Sequence, residues 1–334
     1  MHPDTTTRWF DPRVVLDSPA TLWTGVGIVS GLVLACIIVA VLARLKKIGP
    51  ERLRELVLRL KTWAILIFAI GLPIMLGSFW TILGVLVLSI LCYREFARVT
   101  GLFRNYAVSA MTVAAILFVF FAVLDHWYGF FAALPALGVC FIVASGLIGD
   151  RPNGFLQRVA LAVIAYLIFG ISFGHVGYIA NDPDYRGALL LLLLAVELND
   201  VFAYIAGNLF GKRKLAPNTS PNKTIGGALG AVIGTTVLVS ILGPLLIEMP
   251  PIGFWLFPLL GVILSISGQL GDLVMSAVKR DLGIKDTGCA LPGHCGFLDR
   301  FDSLMLAGPA FFHYIGYFRG FGLDEPVRIL TIGS

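Results

Sequence analysis

Ten apolar runs follow one another along this chain of 334 residues. A run of about 20 residues is long enough, at about 1.5 Å per residue, for a helix to cross a hydrocarbon layer of about 30 Å. Because 57% of the residues are hydrophobic, the apolar surface exceeds what one soluble core can bury. We therefore expect an all-α, polytopic integral membrane protein with about ten transmembrane helices in one continuous membrane domain. The runs are Thr21–Ala43, Trp63–Gly77, Phe79–Tyr93, Tyr106–Leu124, Gly129–Ile148, Val159–Ala180, Gly187–Gly207, Ile225–Ile247, Pro251–Val278 and Ser303–Phe318.

The loops between the runs differ in charge from one side to the other. Residues 44–61 contain seven basic side chains, and placing them in the cytoplasm puts the other basic loops there too. The loops left on the opposite side, 125–129, 181–187 and 248–251, hold one basic residue between them. This pattern predicts that both termini lie on the side opposite the cytoplasm. We expect the membrane to be the inner (plasma) membrane of a bacterium. The pattern also accounts for the formal net charge of +5, so we expect no nucleic-acid partner.

The first basic loop and the two apolar runs after it allow predictions of local structure. Leu53, Leu56, Val57 and Leu60 recur at helical spacing, which favours a short amphipathic helix in the membrane interface, with a plain basic connector as the alternative. The runs that begin at Trp63 and Phe79 are each short for a span. So little polar sequence separates them that we expect a tight hairpin.

The stretch 276–303 holds eight charged residues among 28, although the whole chain is only 13% charged. Charged side chains are costly within a bilayer, so this stretch must lie in water or in a polar cavity, which we expect to face the cytoplasm. Asp299 and Asp302 are three residues apart and can together bind one hard cation through oxygen. His294 lies in a glycine-rich turn. Two alternatives are open for it: a chemical role in the site, or a side chain that is simply solvated.

The apolar run before this stretch carries an acid of its own. Asp272 and Ser276 are four residues apart, and Lys279 and Arg280 continue toward the cytoplasmic end. Asp272 could meet Asp299 and Asp302 across the cavity.

The seventh run also contains ionisable side chains. Glu197, Asp200, Tyr204 and Gly207 follow spacings of three, four and three, so they share one helical face. Such acids can be structural partners, but within a span they usually face a cavity or a ligand. We expect a functional face here.

Residues 211–227 form a basic segment that leads into the next run. Its lysines, hydroxyls and glycines could hold phosphate at the start of a helix, through Lys223, Thr224 and backbone N–H groups. A cytoplasmic connector without a ligand is an equal alternative for this segment taken alone.

Together these segments place carboxylates suited to Mg²⁺ beside cations suited to phosphate. That combination favours phosphoryl or nucleotidyl transfer onto a lipid, in which catalysis is mostly positioning and charge neutralisation. A transporter with an ion site at the membrane midplane is the alternative from another class. Transporters rarely need so long a polar loop beside the site.

Two blocks of the sequence resemble the phosphatidate cytidylyltransferases, also called CDP-diacylglycerol synthases. The resemblance covers roughly residues 197–303, and its pattern of many fixed positions is specific. Two positions depart from it: Cys295 stands where the family usually has a glycine, and Gly226 where we expect an acid. The first block comprises Asn199, Asp200, Tyr204, Gly207, Gly211, Lys212, Pro217, Ser220, Pro221, Lys223 and Thr224, and the second comprises Ser276, Lys279, Arg280, Lys285, Asp286, Gly288, Pro292, Gly293, His294, Gly296, Asp299, Arg300 and Asp302.

The resemblance implies that CTP and phosphatidate react to give CDP-diacylglycerol and pyrophosphate for phospholipid biosynthesis. It implies Mg²⁺, held by Asp272, Asp299 and Asp302, with a second cation left open. Lys279 and Arg300 complete the catalytic set. The expected substrate-binding residues are Asp200, Lys212, Ser220, Lys223, Thr224, Ser276, Arg280, Lys285, Asp286 and His294.

If the resemblance holds, residues 1–194 are scaffold helices that face the lipid, and residues 195–334 carry the catalytic region. The partners are CTP, phosphatidate and membrane lipids, and a homodimer is left open. Three other readings also stay open: a cytidylyltransferase for another lipid phosphate, an ion-coupled secondary transporter, and a relative that has lost catalysis.

Overall fold

The computed structural model describes residues 9–10, 19–45, 49–249, 255–288, 296–320 and 329–331. The chain within these ranges is almost entirely helical. Residues Tyr166–Ser172 form a π-helical segment within a longer helix, and Leu102–Arg104 form a 3-10 turn. The helices are α1 (Pro19–Arg44), α2 (Pro50–Leu76), α3 (Ser78–Val99), α4 (Tyr106–Leu124), α5 (Tyr128–Ser145), α6 (Phe155–Ile179), α7 (Tyr185–Phe210), α8 (Ile225–Leu246), α9 (Leu256–Asp281), α10 (Leu298–Phe301) and α11 (Leu304–Arg319).

Within these described ranges, eight helices are long and apolar enough to cross a membrane: α1, α2 and α4 to α9. The helices α3 and α11 match the two remaining apolar runs of the sequence. The all-α, polytopic membrane fold is therefore confirmed. The number of ten spans stays a prediction.

The second helix differs from the sequence-based expectation. α2 runs without a break from Pro50 to Leu76, so neither a separate interfacial helix nor a connector precedes Trp63, and that prediction is wrong. The reason is local: neither glycine nor proline interrupts the residues around Lys61, and Thr62 donates its hydroxyl to the Leu58 carbonyl at 3.1 Å within the same helix.

The tight hairpin is present. Gly77 alone separates α2 from α3, and its φ of 132° is a conformation that side chains rarely adopt. The long α2 and the reversal at Gly77 together bring the far end of α3 to the level of the later polar segments.

The basic segment between α7 and α8 contains a small sheet. The strands β1 (Lys214–Ala216) and β2 (Ser220–Thr224) pair antiparallel, with Lys214 opposite Thr224 and Ala216 opposite Ser220. The hairpin turns the chain directly into α8, whose first residue follows Thr224.

Small residues let α7, α8 and α9 pack closely. A Cβ on Gly227 of α8 would lie 2.7 Å from the Ala203 carbonyl oxygen of α7, and one on Gly261 of α9 would lie 2.6 Å from Thr236 Cα of α8. Asn199, buried in α7, accepts hydrogen bonds through Oδ1 from the hydroxyls of α8 and α9. This three-helix core fixes the relative heights of the polar residues on each helix.

Candidate active site

The cytoplasm-side half of α9, by the predicted topology, presents one polar face. Asp272, Ser276 and Lys279 follow spacings of four and three, so their side chains lie on that face. The Ser276 hydroxyl donates to Asp272 Oδ1 at 3.3 Å. The sequence predicted this row, and the structure brings its members together.

The β-hairpin delivers a lysine to the same face. Lys223 Nζ forms an ion pair with Asp272 Oδ2, and both side chains are about one-fifth exposed. Thr224 follows at the N-cap of α8, where its Oγ1 accepts from the Gly227 N–H at 3.1 Å. Arg280 Nε donates to the Thr219 carbonyl at 3.4 Å, which ties the hairpin to the end of α9.

Asp299 is held by four donors. Its Oδ1 accepts from Lys279 Nζ at 2.8 Å, and its Oδ2 accepts from Thr287 N at 2.9 Å, Thr287 Oγ1 at 2.9 Å and Gly296 N at 3.0 Å. Burial by itself raises the pKa of Asp299, but these hydrogen bonds and the charge of Lys279 outweigh it, so the net pKa lies below its ordinary value. Asp299 is therefore ionised and fixed in place.

Asp302 is the most enclosed acid of the group. Its Oδ1 accepts from the Ser303 N–H at 2.7 Å, and α9 passes so close that a Cβ on Gly271 would lie 2.5 Å from the Asp302 carbonyl oxygen. Burial first, and then the negative charge of Asp272, raise the pKa of Asp302 well above its ordinary value. The two carboxylates therefore lie within electrostatic reach of each other.

The face of α7 completes the group from the other side. Asp200 lies within electrostatic reach of Asp272, Lys223 and Arg300, and Glu197 within reach of Asp200 and Arg300. Arg300 on α10 thus faces the acids of α7. The spacing of Glu197 and Asp200 predicted a shared face, and both residues lie beside the cluster.

Four other predicted site residues are exposed or half-buried. Lys212, Lys285 and Asp286 are exposed, and Ser220 is half-buried in β2. His294 lies outside the described residues, as does Cys295.

Sequence reasoning missed two residues of the site, Glu95 and Thr287. Glu95, in the last turns of α3, accepts hydrogen bonds from the N–H groups of Phe297 and Leu298 at 3.0 and 2.9 Å. The one available signal was an acid within an otherwise basic segment, 94–104. Nothing in the periodicity of the chain connects that segment with the stretch 287–298.

The negative charge of the cluster favours the binding of a cation. A buried carboxylate whose ionisation is opposed by a neighbouring carboxylate, as at Asp302 and Asp272, is stabilised by an added positive charge, and hard divalent ions prefer such oxygen ligands. As placed, no three His, Cys, Asp or Glu side chains of the described ranges converge on one point. Lys223 and Lys279 instead supply the positive charge at Asp272 and Asp299.

This geometry can support the transfer of an anionic group. Lysines that neutralise carboxylates, an arginine and a set of partly buried acids can bind polyphosphate together with a divalent cation.

The comparisons with known proteins bear on this site directly, since residues 57–318 match the model of the cytidylyltransferase family. The chain is 34% identical over 277 residues to "Uncharacterized protein YnbB" of Escherichia coli (strain K12), covering 80% of this chain and 90% of that protein. It is 34% identical over 252 residues to a phosphatidate cytidylyltransferase of Staphylococcus epidermidis, covering 74% of this chain and 94% of the relative. A phosphatidate cytidylyltransferase of Bacillus subtilis (strain 168) is 38% identical over 164 residues, which cover 48% of this chain and 60% of the relative. The resemblance seen in the sequence is thereby confirmed: the chain belongs to the cytidylyltransferase family and is a nucleotidyltransferase.

Proposed function

We propose that the protein is a phosphatidate cytidylyltransferase, which makes CDP-diacylglycerol and pyrophosphate from CTP and phosphatidate. Family membership and the relatives that bear this name support the reaction. The observation that carries it is the pair of ion pairs, Lys223–Asp272 and Lys279–Asp299, arranged around Asp302. Cations and acids in this arrangement match a substrate pair that consists of a polyphosphate and a phosphate.

The reaction joins two anions. A phosphate oxygen of phosphatidate attacks the α-phosphorus of CTP, a new P–O bond forms, and the bond from the α-phosphorus to the oxygen bridging to the β-phosphorus breaks. Pyrophosphate leaves with the electron pair of that bond. The attacking oxygen is already ionised near neutral pH, so the reaction needs little base catalysis. Its main barrier is the repulsion between the two phosphates.

The lysines and arginines answer that repulsion. Lys223 and Lys279 have flexible stems and can turn from their aspartates toward phosphate oxygens, while Arg280 and Arg300 provide planar donors nearby. Thr224 begins α8 as its N-cap, where the first N–H groups of the helix favour an anion. Asp200 is suited to orient one of these cations.

Cytidylyltransferases of this kind generally use a divalent cation, and we assign Mg²⁺ to this one. Asp272, Asp299 and Asp302 are the residues that would hold it. When bound, such an ion neutralises charge on the triphosphate and on the departing pyrophosphate. The remaining steps, binding and orientation, belong to the side chains described above.

We place the active site at the cytoplasmic face of a bacterial plasma membrane. The basic loops support this orientation because positive residues favour the cytoplasmic side. Apolar helices on both sides of the polar cluster support delivery of the lipid substrate from the bilayer. A homodimer is compatible with this arrangement.

The test is product formation by the purified full-length protein in mixed micelles that contain CTP, phosphatidate and Mg²⁺. We expect pyrophosphate and CDP-lipid in equal amounts from the wild type and almost none from Asp299→Asn. Asp281→Asn is the matched control, because Asp281 is an exposed aspartate at the end of α9, outside the cluster. Activity of Asp299→Asn equal to that of the control would overturn the assignment of the site.

A different lipid phosphate is the second candidate, and Gly226 is the observation that favours it. The family resemblance leads us to expect an acid at this position, and glycine in its place changes the charge that is available to a cation or to the lipid head group. The same assay with a prenyl phosphate in place of phosphatidate separates the two substrates. Ion-driven flux of a solute without pyrophosphate release would instead indicate a transporter.

A further inference from the structure

Glu95 joins the first half of the chain to the catalytic segment. It lies in the last turns of α3, which packs against α10, and it is half-buried. Its Oε1 accepts from the Phe297 N–H at 3.0 Å, and its Oε2 accepts from the Leu298 N–H at 2.9 Å. One carboxylate thus binds two consecutive amides immediately before Asp299.

Glu95 and Asp299 hold the same backbone from two sides. The Thr287 hydroxyl lies 3.5 Å from Glu95 Oε2 and 2.9 Å from Asp299 Oδ2. Asp299 also binds the N–H groups of Thr287 and Gly296, and Glu95 binds those of the next two residues. With its Oδ2 so occupied, Asp299 presents only Oδ1 to Lys279.

Two glycines make room for this contact. A Cβ on Gly288 would lie 3.2 Å from Glu95 Oε1, and a Cβ on Gly296 would lie 2.7 Å from Thr287 Oγ1 and closer still to Glu95 Oε2. Contacts of 3.0 Å or less are ones that real Cβ atoms essentially never make. Only glycine therefore fits at Gly296 without a shift of its neighbours, whereas a Cβ on Gly288 would be a tight contact with the carboxylate.

The charge of Glu95 is directed at backbone amides. Among the described residues, the lysine and arginine ion pairs involve other acids: Glu55, Asp272, Asp299, Asp182 and Asp184. Hydrogen bonds from N–H groups to a carboxylate are stronger than those to a neutral acceptor, so two of them fix the start of α10 firmly.

We propose that Glu95 is a positioning residue for the transfer reaction: it fixes the backbone at Phe297 and Leu298 so that Asp299 is held against Lys279. The proposal rests on the proposed function, because it takes that pair as part of the active site. It also gives the first half of the chain a direct part in catalysis. Glu95 does not itself touch substrate.

The test compares Glu95→Gln, Glu95→Asp and the control Glu55→Gln in the mixed-micelle assay, with rates expressed per amount of folded protein. Glutamine keeps the size of the side chain but turns an NH₂ group toward one of the two amides. Misplacement of a catalytic group by about 1 Å typically costs about 10²-fold in rate. We therefore expect kcat of Glu95→Gln to fall by about that factor, with KM for CTP and phosphatidate within about twofold of the wild type.

The conservative variant separates positioning from bulk stability. Glu95→Asp keeps two acceptor oxygens on a shorter stem, so we expect it to recover about a tenth or more of the wild-type kcat. Glu55→Gln changes an exposed residue of α2 that pairs with Arg59, and we expect wild-type rates from it. A structural role alone would lower the yield of folded protein and leave kcat per folded molecule unchanged.

Three outcomes overturn the inference: wild-type kcat in Glu95→Gln, a change confined to KM, or an equal loss in Glu55→Gln. A loss of kcat that Glu95→Asp partly restores supports it. If the wild type itself makes no CDP-lipid, the proposed function fails, and that result is distinct from a normal rate in the Glu95 variants.

Discussion

Lys279 Nζ lies 2.8 Å from Asp299 Oδ1, and the two side chains are only 13% and 8% exposed. The pair joins the end of α9 to α10 and is nearly shielded from solvent. Removal of one partner of a buried pair leaves an uncompensated charge, which is the costly change. This contact is therefore where single substitutions reveal most about the site.

Substitution of Lys279 tests that contact. Lys279→Gln leaves Asp299 Oδ1 without its cation and removes one positive charge from the phosphate site, so we expect turnover to fall by about 10²- to 10³-fold. Lys279→Arg keeps the charge, and we expect it to retain more activity than glutamine. Initial rates of pyrophosphate release measure both.

Lys61→Gln is the control for these variants, because Lys61 is an exposed lysine of α2. We expect it to leave the rate unchanged. A Lys279→Gln enzyme as fast as this control would show that the buried pair has no part in the reaction.

Metal removal provides the second test. An added cation would offset the repulsion between Asp302 and Asp272 and would neutralise charge on a bound polyphosphate. We expect chelation to abolish CDP-lipid formation and Mg²⁺ in excess of the chelator to restore it. Asp302→Asn should stay below about 1% of the wild-type rate even at high Mg²⁺, because the oxygen that would hold the ion then carries no charge.

Asp281→Asn, which changes an exposed aspartate, again serves as the control. We expect its turnover to depend on Mg²⁺ as that of the wild type does. Undiminished turnover after exhaustive chelation would contradict the Mg²⁺ assignment.

The helices and the grouping of polar side chains on them could be predicted from the sequence better than the contacts between distant segments. Apolar runs and helical spacing depend only on neighbouring residues, so α7, α9 and the row from Asp272 to Lys279 could be found in advance. The continuity of α2 across Lys61 could not be found in the same way, because the polar and apolar parts of one helix resemble two separate segments.

Contacts between distant segments were out of reach for a different reason. Glu95 binds amides about 200 residues later, and no periodicity records which backbone N–H groups an acid will meet. Lys223 and Asp272 were both expected in the site, but their pairing depends on the β-hairpin, whose strands are only three and five residues long. Strands this short give almost no signal in the sequence.

The buried network at Asn199 provides a third test. Asn199 Oδ1 accepts from Thr235 Oγ1 at 3.0 Å and from Ser265 Oγ at 2.5 Å, so it links α7 to α8 and α9. Asn199→Ala leaves two buried hydroxyls without this acceptor, and we expect a loss of about 1–3 kcal/mol in stability. We also expect lower turnover, because Asp200 is the next residue. Thermal unfolding and initial rates in one detergent measure both effects.

Asn153→Ala is the matched control, since Asn153 is exposed in the segment before α6. Equal melting temperatures for the two alanine variants would mean that the network adds nothing to the packing of the three helices.

Gly226 provides the last test, because it separates a backbone requirement from a lost functional acid. A Cβ at this position would lie 2.8 Å from the Phe210 carbonyl oxygen and 3.0 Å from its carbonyl carbon, and backbone atoms of α7 cannot move aside as a flexible side chain would. Overpacking of this kind typically costs about 1–3 kcal/mol. We therefore expect both Gly226→Ala and Gly226→Glu to unfold at lower temperatures than the wild type.

Gly71→Ala is the control, because nothing lies within 4 Å of a Cβ at that position in α2. Alanine is favoured over glycine within a helix by about 0.5–1 kcal/mol, so this variant should be as stable as the wild type or slightly more stable. If Gly226→Glu instead kept wild-type stability and raised turnover, the close approach of α7 and α8 would not be the reason for glycine. The position would then be a site where this chain has lost an acid that assists the reaction.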